Sequence, residues 1–410
     1  MINSHKKTVL EILGRNPIHP FPARMAPGIA LEALGQSRGP LRVLDPMAGS
    51  GTVLAVARAN GHHAIGVDLD PLAVLLAKVW TRTIDAEEAE DKAAEVLDRA
   101  RHACRALRGG GAYPSGSNPE TRSFIRYWFD DYARLQLTSL SRTIRRVEDA
   151  RIREALWCGF SRLIITKSAG ASLAMDLSHS RPHKKFNRAP VKPFSRFLSA
   201  VQAVVSNCPQ RGREPVGPTA IAKRGDARKL DVASNSIDLV LTSPPYLNAI
   251  DYMRCSKFSL VWMGYNVDQL RHIRGESVGA ESFSELAAET PWVQSLIEQL
   301  KLTKKLSARD IGLLGRYVLD MGRSLAEVSR VLKSGGRAVY VLGDSTVRGT
   351  FIRNSEIVRS LAQQQGLKLY ERRSRTLPAN RRYLPPPKIR NESSIEGRMR
   401  REVVLVFGKS

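Results

Sequence analysis

Two rhythms of hydrophobic positions run along this chain. Short apolar runs at 41–44 and 64–67 read as buried parallel strands, and each leads into a helix-like stretch, 53–60 and 71–79. Shorter helical patterns precede them at 7–13 and 28–34. From 86 to 220 the strand signal stops, and helical patterns rich in Ala and Arg take over at 86–107, 124–147 and 152–160, with Gly109-Gly110-Gly111 as a loop after the first. The apolar run at 236–241 brings the strands back. Residues 251–310 are mainly helical, and there Phe258, Trp262 and Tyr265 recur at near-helical spacing that favours a core role over base stacking. An amphipathic helix is expected over 312–332, ended by Lys333-Ser334-Gly335-Gly336, and strands over 337–342, 367–372 and 402–407. The pattern predicts an α/β protein in which a mainly helical insertion, 86–220, interrupts a sheet domain made of 1–85 and 221–410.

Length and charge narrow the field. A chain of 410 residues is long enough for two to three domains and a large core. Lys and Arg number 64 against 39 Asp and Glu, a net charge of +25 that predicts attraction to a polyanion, with nucleic acid first. An acidic membrane surface is the rival, but no basic amphipathic helix with bulky apolar anchors supports it, and no run approaches the roughly eighteen apolar residues a membrane span needs. The four cysteines, Cys104, Cys158, Cys208 and Cys255, form no CxxC pair, so neither a metal site nor a disulfide framework is expected and a reducing, cytoplasmic setting fits. Lys6 and Lys7 lead into no apolar run of signal-peptide type, and no internal repeat is visible.

The chemistry gathers where strands end. Asp45-Pro46-Met47-Ala48-Gly49-Ser50-Gly51-Thr52 breaks the first strand with glycines that allow close approach to a ligand, then opens a helix whose start offers N–H groups. Asp68 ends the second strand, where a carboxylate suits a ribose diol. Thr242-Ser243-Pro244-Pro245-Tyr246 ends the run at 236–241 with a hydroxyl, two stiffening prolines and an aromatic face, groups that suit holding a planar heterocycle by its exocyclic amine. A bare Pro-Pro-Tyr is more often a simple turn; the nucleotide-binding half-fold before it changes that weighing. Upstream, His19-Pro20-Phe21-Pro22 is a proline-stiffened segment that serves either as a linker or as a wall. Two basic loops, around Arg181, His183, Lys184 and Lys185 and around Arg381 and Arg382, suit phosphate contacts, although such loops also serve as solvated linkers. Asp344 follows a strand, a place where an Asp is as often a turn or cap as a ligand.

These residues resemble the amino-methylating DNA methyltransferases that use S-adenosylmethionine. The 45–52 loop is similar to the family's cofactor loop and Ser243-Pro244-Pro245-Tyr246 to its catalytic loop, and the resemblance spans most of the chain outside 86–220. It implies a Rossmann-like class I methyltransferase fold, with a seven-stranded, mostly parallel sheet whose last strand is antiparallel. The cofactor residues it implies are Asp45, Pro46, Met47, Gly49, Gly51 and Thr52 around the methionine moiety, Asp68 at the ribose, Asp226 and Ala227 at the adenine, and Phe21 with Pro22 as the wall. Met47 departs from the family, which most often has Phe there; Met is apolar and adaptable enough to replace it.

The resemblance also implies the reaction. An exocyclic amine is a poor nucleophile because its lone pair is delocalised; acceptors at Ser243 and Pro244 would free that lone pair, while Tyr246 would stack on a base flipped from double-stranded DNA. Serine in this loop is most typical of cytosine-N4 enzymes, whereas adenine-N6 members more often carry Asp or Asn. Cytosine N4 is therefore the expected target, with adenine N6, an RNA amine, or a catalytically dead nucleic-acid-binding protein as alternatives. Carbon-5 methylation needs a Pro-Cys loop, and Asn207-Cys208-Pro209-Gln210 has the reverse order away from any strand end. No metal is expected. The motif order makes 86–220 the first candidate for target recognition and 251–310 the second. Membership of a restriction–modification system would add a cognate restriction endonuclease as partner.

Overall fold

The structure is a computed structural model of the chain. It describes residues 7–22, 25–35, 37, 39–107, 112–178, 182–209, 217–247, 252–280, 290–302, 306–347, 350–376 and 401–410. The strands are β1 (Arg42–Asp45), β2 (His63–Asp68), β3 (Ala220–Arg224), β4 (Ile237–Thr242), β5 (Leu332–Gly343), β6 (Ser345–Val347), β7 (Thr350–Ile352), β8 (Leu367–Thr376) and β9 (Arg401–Lys409). Seven of them form one sheet in the order β3-β2-β1-β4-β5-β9-β8, while β6 and β7 make a separate hairpin. From β3 to β5 all pairs are parallel; β9 runs antiparallel between β5 and β8. This is the expected mostly parallel sheet with its last strand reversed.

The helices are α1 (Val9–Leu13), α2 (Pro27–Leu34), α3 (Thr52–Ala59), α4 (Pro71–Trp80), α5 (Ala86–Ala106), α6 (Pro119–Trp128), α7 (Asp131–Ile144), α8 (Ala150–Ile164), α9 (Pro193–Val205), α10 (Met253–Leu260), α11 (Val267–Glu276), α12 (Pro291–Gln299), α13 (Ala308–Val331) and α14 (Asn354–Gln364). The sheet is covered on both faces, and the two-residue period of its strands shows how. Leu239, Leu241, Val339 and Val341 pack with Ile29, Val53 and Leu54, whereas Val240, Tyr340 and Leu342 pack with Leu325, Val328 and Ile357. Beyond α4 lies a third cluster in which Leu72, Leu76 and Trp80 share one core with Leu137, Leu156, Phe197 and Phe258. The helices of 86–205 are thus joined to the sheet domain by continuous apolar packing. Phe258 and Trp262 are fully buried in it, as the core reading expects.

Several elements differ from the sequence expectation. The helix expected at 124–147 is two, because Asp130 leaves the helical conformation and caps α7 by accepting from the Ala133 N–H at 2.8 Å. The long helix α13 ends at Val331, and Gly335 and Gly336 lie within β5, where the register against β4 shifts. Strand β3 was missed because it is an edge strand with mostly exposed positions and forms no apolar run. It begins at Ala220, one residue before the expected domain boundary.

Gly51 is set apart by its backbone. It caps α3 with φ of 86°, and a Cβ there would stand 2.8 Å from both Cα and Cβ of Ala77 on α4. Gly51→Val is therefore expected to cost about 2–5 kcal/mol from left-handed strain and overpacking. Urea denaturation checks this, and an unchanged midpoint would mean that α3 can swing away from α4 without loss.

Candidate active site

Parallel strands with short connections bring their carboxyl ends to one edge of a sheet. The order β2-β1-β4-β5 puts a topological switch point between β1 and β4, the position where ligands of open α/β sheets bind. A cavity lies along that edge. Into it come Pro46, Met47 and Gly49 after β1, Asp68 after β2, Asp226 and Ala227 after β3, and the Ser243–Tyr246 loop after β4, with Phe21 and Pro22 closing a side. Of the residues expected to hold the cofactor or the target amine, Gly51 alone stands off the wall, turned instead into the α3–α4 contact.

The glycine loop is held shut from the second strand. Asp68 accepts from the Gly49 N–H at 2.8 Å and from the Asp70 N–H at 2.9 Å, and the Ala48 N–H donates to the Val67 carbonyl at 2.9 Å. Asp70 caps α4 through the Leu72 N–H at 2.8 Å and accepts from the Ser256 hydroxyl, which ties this loop to α10. Asp45 accepts from the Thr242 hydroxyl at 2.7 Å and from the Met47 N–H at 3.1 Å, linking the ends of β1 and β4. Burial pushes both Asp45 and Asp70 up to about 7, against the hydrogen bonds they accept, and also raises Asp68. Three carboxyls, Asp45, Asp68 and Asp70, line the cavity, which makes it receptive to a cation.

At the far end, Asp226 is not a loose carboxylate. Burial works against its charge, but hydrogen bonds from the Arg228 side chain outweigh it and hold the carboxyl below the usual range. Arg228 also donates to Asp320 at 2.7 Å and to the Glu276 carbonyl at 2.7 Å, and Arg316 donates to the Gly275 carbonyl at 2.5 Å. This network fixes the carboxyl end of α11, and the residues just beyond it, Ser277 to Ala280, form another part of the cavity wall. Nothing in the sequence signalled that wall, because it follows a helix and not a strand end. Gly279 comes close to the catalytic-type loop there: a Cβ would lie 3.8 Å from the Tyr246 carbonyl oxygen.

In the Ser243–Tyr246 loop, Ser243 donates its hydroxyl to the Val341 carbonyl at 3.1 Å, so its oxygen presents lone pairs elsewhere. The Tyr246 phenol lies beside Glu402, which Arg375 pairs, and burial pushes it well above its ordinary range, so it stays protonated. The wall segment is anchored by the helical region: Arg162 donates to the Ile18 carbonyl at 2.7 Å, and the buried His19 ring is 2.9 Å from the Ser161 hydroxyl. Phe21 then faces Tyr252, ring centroids 6.1 Å apart.

The other candidates separate. His183, Lys184 and Lys185 are exposed on a loop tied back by the Lys185 N–H to the Leu173 carbonyl at 2.9 Å. Arg181, Arg381 and Arg382 lie outside the described residues. Asp344 accepts from the N–H and hydroxyl of Ser355 at the start of α14, which is the capping role. Cys208 is buried against the Val79 carbonyl, away from the cavity. Among the described residues no group of His, Cys, Asp or Glu could hold a metal ion, and no helix is long and apolar enough to cross a membrane.

Whether S-adenosylmethionine fits can be judged from the wall itself. Thr52 is 2% exposed at the first position of α3, and its hydroxyl is among the buried side-chain atoms with no hydrogen-bond partner. An orphan hydroxyl at a helix start suits a ligand carboxylate, the buried acids suit an ammonium, and Phe21, Met25 and Met47 supply an apolar side. The strand order and this pocket together define a Rossmann-like α/β fold with a cavity at its switch point whose lining fits S-adenosylmethionine. In sequence the chain is similar to type II methyltransferase M.MvaI of Kocuria varians, 24% identical over 419 residues that cover 95% of this chain and 90% of that protein. It is also similar to type II methyltransferase M.AvaI of Nostoc sp., 21% identical over 366 residues, 79% of this chain and 73% of the relative. No protein-family model matches. Among solved structures, a TehB-like SAM-dependent methyltransferase from Corynebacterium glutamicum aligns with a TM-score of 0.30 at 11% identity, covering 96% of this chain and 90% of that one.

Proposed function

We propose that this protein is a type II DNA methyltransferase that transfers a methyl group to an exocyclic amine, cytosine N4, at a specific site in double-stranded DNA. One observation carries the reading: the glycine loop after β1 and the Ser-Pro-Pro-Tyr loop after β4 share a single cavity at the switch point of the sheet. A net charge of +25 and the type II methyltransferases among its relatives support DNA as the polymer. As in such systems, a restriction endonuclease of the same specificity would be its counterpart.

S-adenosylmethionine, when bound, supplies a methyl group already activated on a sulfonium sulfur. Gly49, Thr52 and Asp45 would hold its methionine part, Asp68 the ribose, Asp226 and Ala227 the adenine, with Phe21, Pro22, Pro46 and Met47 as apolar walls. The Ser243 oxygen and the Pro244 carbonyl would accept hydrogen bonds from the two amine N–H groups, drawing the nitrogen towards a tetrahedral form and releasing its lone pair. Pro245 stiffens the loop, and the Tyr246 ring would stack on the base brought out of the duplex. No protein nucleophile is required.

The test is direct. Duplex DNA methylated by the purified protein is digested to nucleosides, and N4-methylcytosine is the expected product. N6-methyladenine would overturn the base assignment, and label that enters only RNA would overturn the DNA assignment.

Asp45 links this reading to pH. Its folded pKa of about 7 means that the folded protein keeps a proton which the unfolded chain, near 4, has already released. This group's contribution to stability therefore falls as pH rises from about 4 to 7. A cation bound beside it favours the carboxylate, so cofactor affinity is expected to rise from pH 6 to 8 with proton release, and Asp45→Asn should flatten the rise. Calorimetry in two buffers of different ionisation enthalpy measures both; equal slopes in wild type and variant would remove Asp45 from the site.

A further inference from the structure

We propose that the groove between α6 and the α10–α11 pair is the surface that grips the DNA backbone beside the target base. This deepens, and rests on, the reading of the protein as a DNA methyltransferase. One wall is aromatic: Phe124, Tyr127 and Trp128 share a face of α6 at helical spacing. The facing wall is basic, with Arg254 and Lys257 on α10 and Arg271 on α11. Lys257 Nζ stands 4.7 Å from the centre of the Phe124 ring, so aliphatic and cationic groups meet across the groove.

Three features favour a polyanion with sugar rings as the occupant. Among the described residues the groove is lined by Arg254, Lys257, Arg271 and Arg274, with Glu120 paired to Arg271. Tyr127 remains 57% exposed although it packs edge-on against Trp128 at 4.9 Å, so an amphipathic ring is presented to solvent. At the rim, Lys184 of the basic loop stands with its Nζ 5.2 Å from the Tyr127 ring, which brings that loop to the same surface. Large exposed aromatics bordered by cations are what sugar and phosphate contacts use.

Continuity decides between DNA beside the site and an unrelated ligand. Met253 and Arg274 line both this groove and the active-site cavity. A base can enter the cavity only if its duplex lies against the mouth, and the strand on either side must then pass over adjoining surface. The groove is that adjoining surface, and it presents the basic side chains that backbone contacts use.

The test measures binding of a fluorescent duplex across a salt series, with S-adenosylmethionine affinity by calorimetry as the control. The double variant Arg254→Ala, Lys257→Ala is expected to bind DNA about tenfold more weakly, with a log–log salt slope less steep by about two, and to bind the cofactor as wild type does. Tyr127→Ala should weaken binding a fewfold without changing the slope. Unchanged DNA affinity and slope in both variants, with a wild type that methylates DNA, would overturn the groove and leave the proposed function standing. A wild type that methylates only RNA overturns the commitment to DNA whatever the variants do. Should the double variant unfold more readily, Lys184→Ala on the exposed loop makes the same measurement, and an unaltered slope there counts against the proposal.

Discussion

Ser243→Ala is expected to lower the rate of methyl transfer about a hundredfold while cofactor affinity stays at the wild-type value. The reason is the direction of the Ser243 hydroxyl. Its proton is committed to the Val341 carbonyl on the neighbouring strand, 3.1 Å away, so the oxygen is fixed as an acceptor. An acceptor that is already oriented strengthens its bond to an amine N–H as that nitrogen becomes tetrahedral, without reorganising at the moment of reaction. Alanine removes it and leaves Pro244 as the remaining acceptor. Tyr246 offers the matching contrast. Tyr246→Phe keeps the ring and loses the phenol, which lies beside Glu402 and the Ser243 hydroxyl, so transfer should fall less than in Ser243→Ala, whereas Tyr246→Ala loses about 1–3 kcal/mol of stacking on the base. Single-turnover rates at saturating cofactor separate these steps. Full activity in Ser243→Ala would take the serine out of the mechanism.

Arg228→Met is expected to destabilise the fold by about 3 kcal/mol, the scale of removing one partner from a buried ion pair. Arg228 sits between Asp226 and Asp320, and the Asp320 side chain is only 4% exposed. Without the guanidinium, Asp320 keeps only Arg316 at 3.6 Å, and the Glu276 carbonyl loses a donor. The pH dependence has a definite sign. Arg228 holds the Asp226 carboxyl below its ordinary range, a contribution present above about pH 4 and lost as pH falls through the lower folded value. The gap between wild type and variant should therefore narrow in acid. The double variant Arg228→Met, Asp320→Asn should recover part of the loss, because no uncompensated buried charge remains. Urea denaturation at pH 7 and at a pH well below 4 tests this, and a gap that widens in acid would contradict the network. Since Arg228 and Arg316 both hold the end of α11, the single variant should also loosen the Ser277–Ala280 wall and raise KM for DNA.

Much of this site was legible in the sequence because its parts are local. A strand that ends in glycines and opens a helix, or in Pro-Pro before an aromatic, announces itself within a few residues, since each such turn has its own backbone requirement. Gly51 shows the limit. Its need for glycine was visible, but whether that need came from a ligand or from Ala77 on another helix was settled only by packing. Asp226 shows another: its pairing with Arg228 is local, two residues along the chain, but the second carboxylate that Arg228 binds, Asp320, comes from a helix ninety-odd residues away.

By itself, the sequence determined the alternation of strands and helices, the sign of the charge, and the two candidate loops at strand ends, because hydrophobic period and turn geometry are encoded by neighbours in the chain. Tertiary structure alone decided the rest. Edge strand β3 is stabilised by pairing with β2 and not by an apolar pattern of its own. The Ser277–Ala280 wall exists because two arginines hold a helix end in place. The groove beside the cavity is assembled from α6, α10 and α11, whose side chains meet through a shared core more than a hundred residues apart in sequence. Burial of that core, which no local stretch specifies, is what turned separate loops into one site.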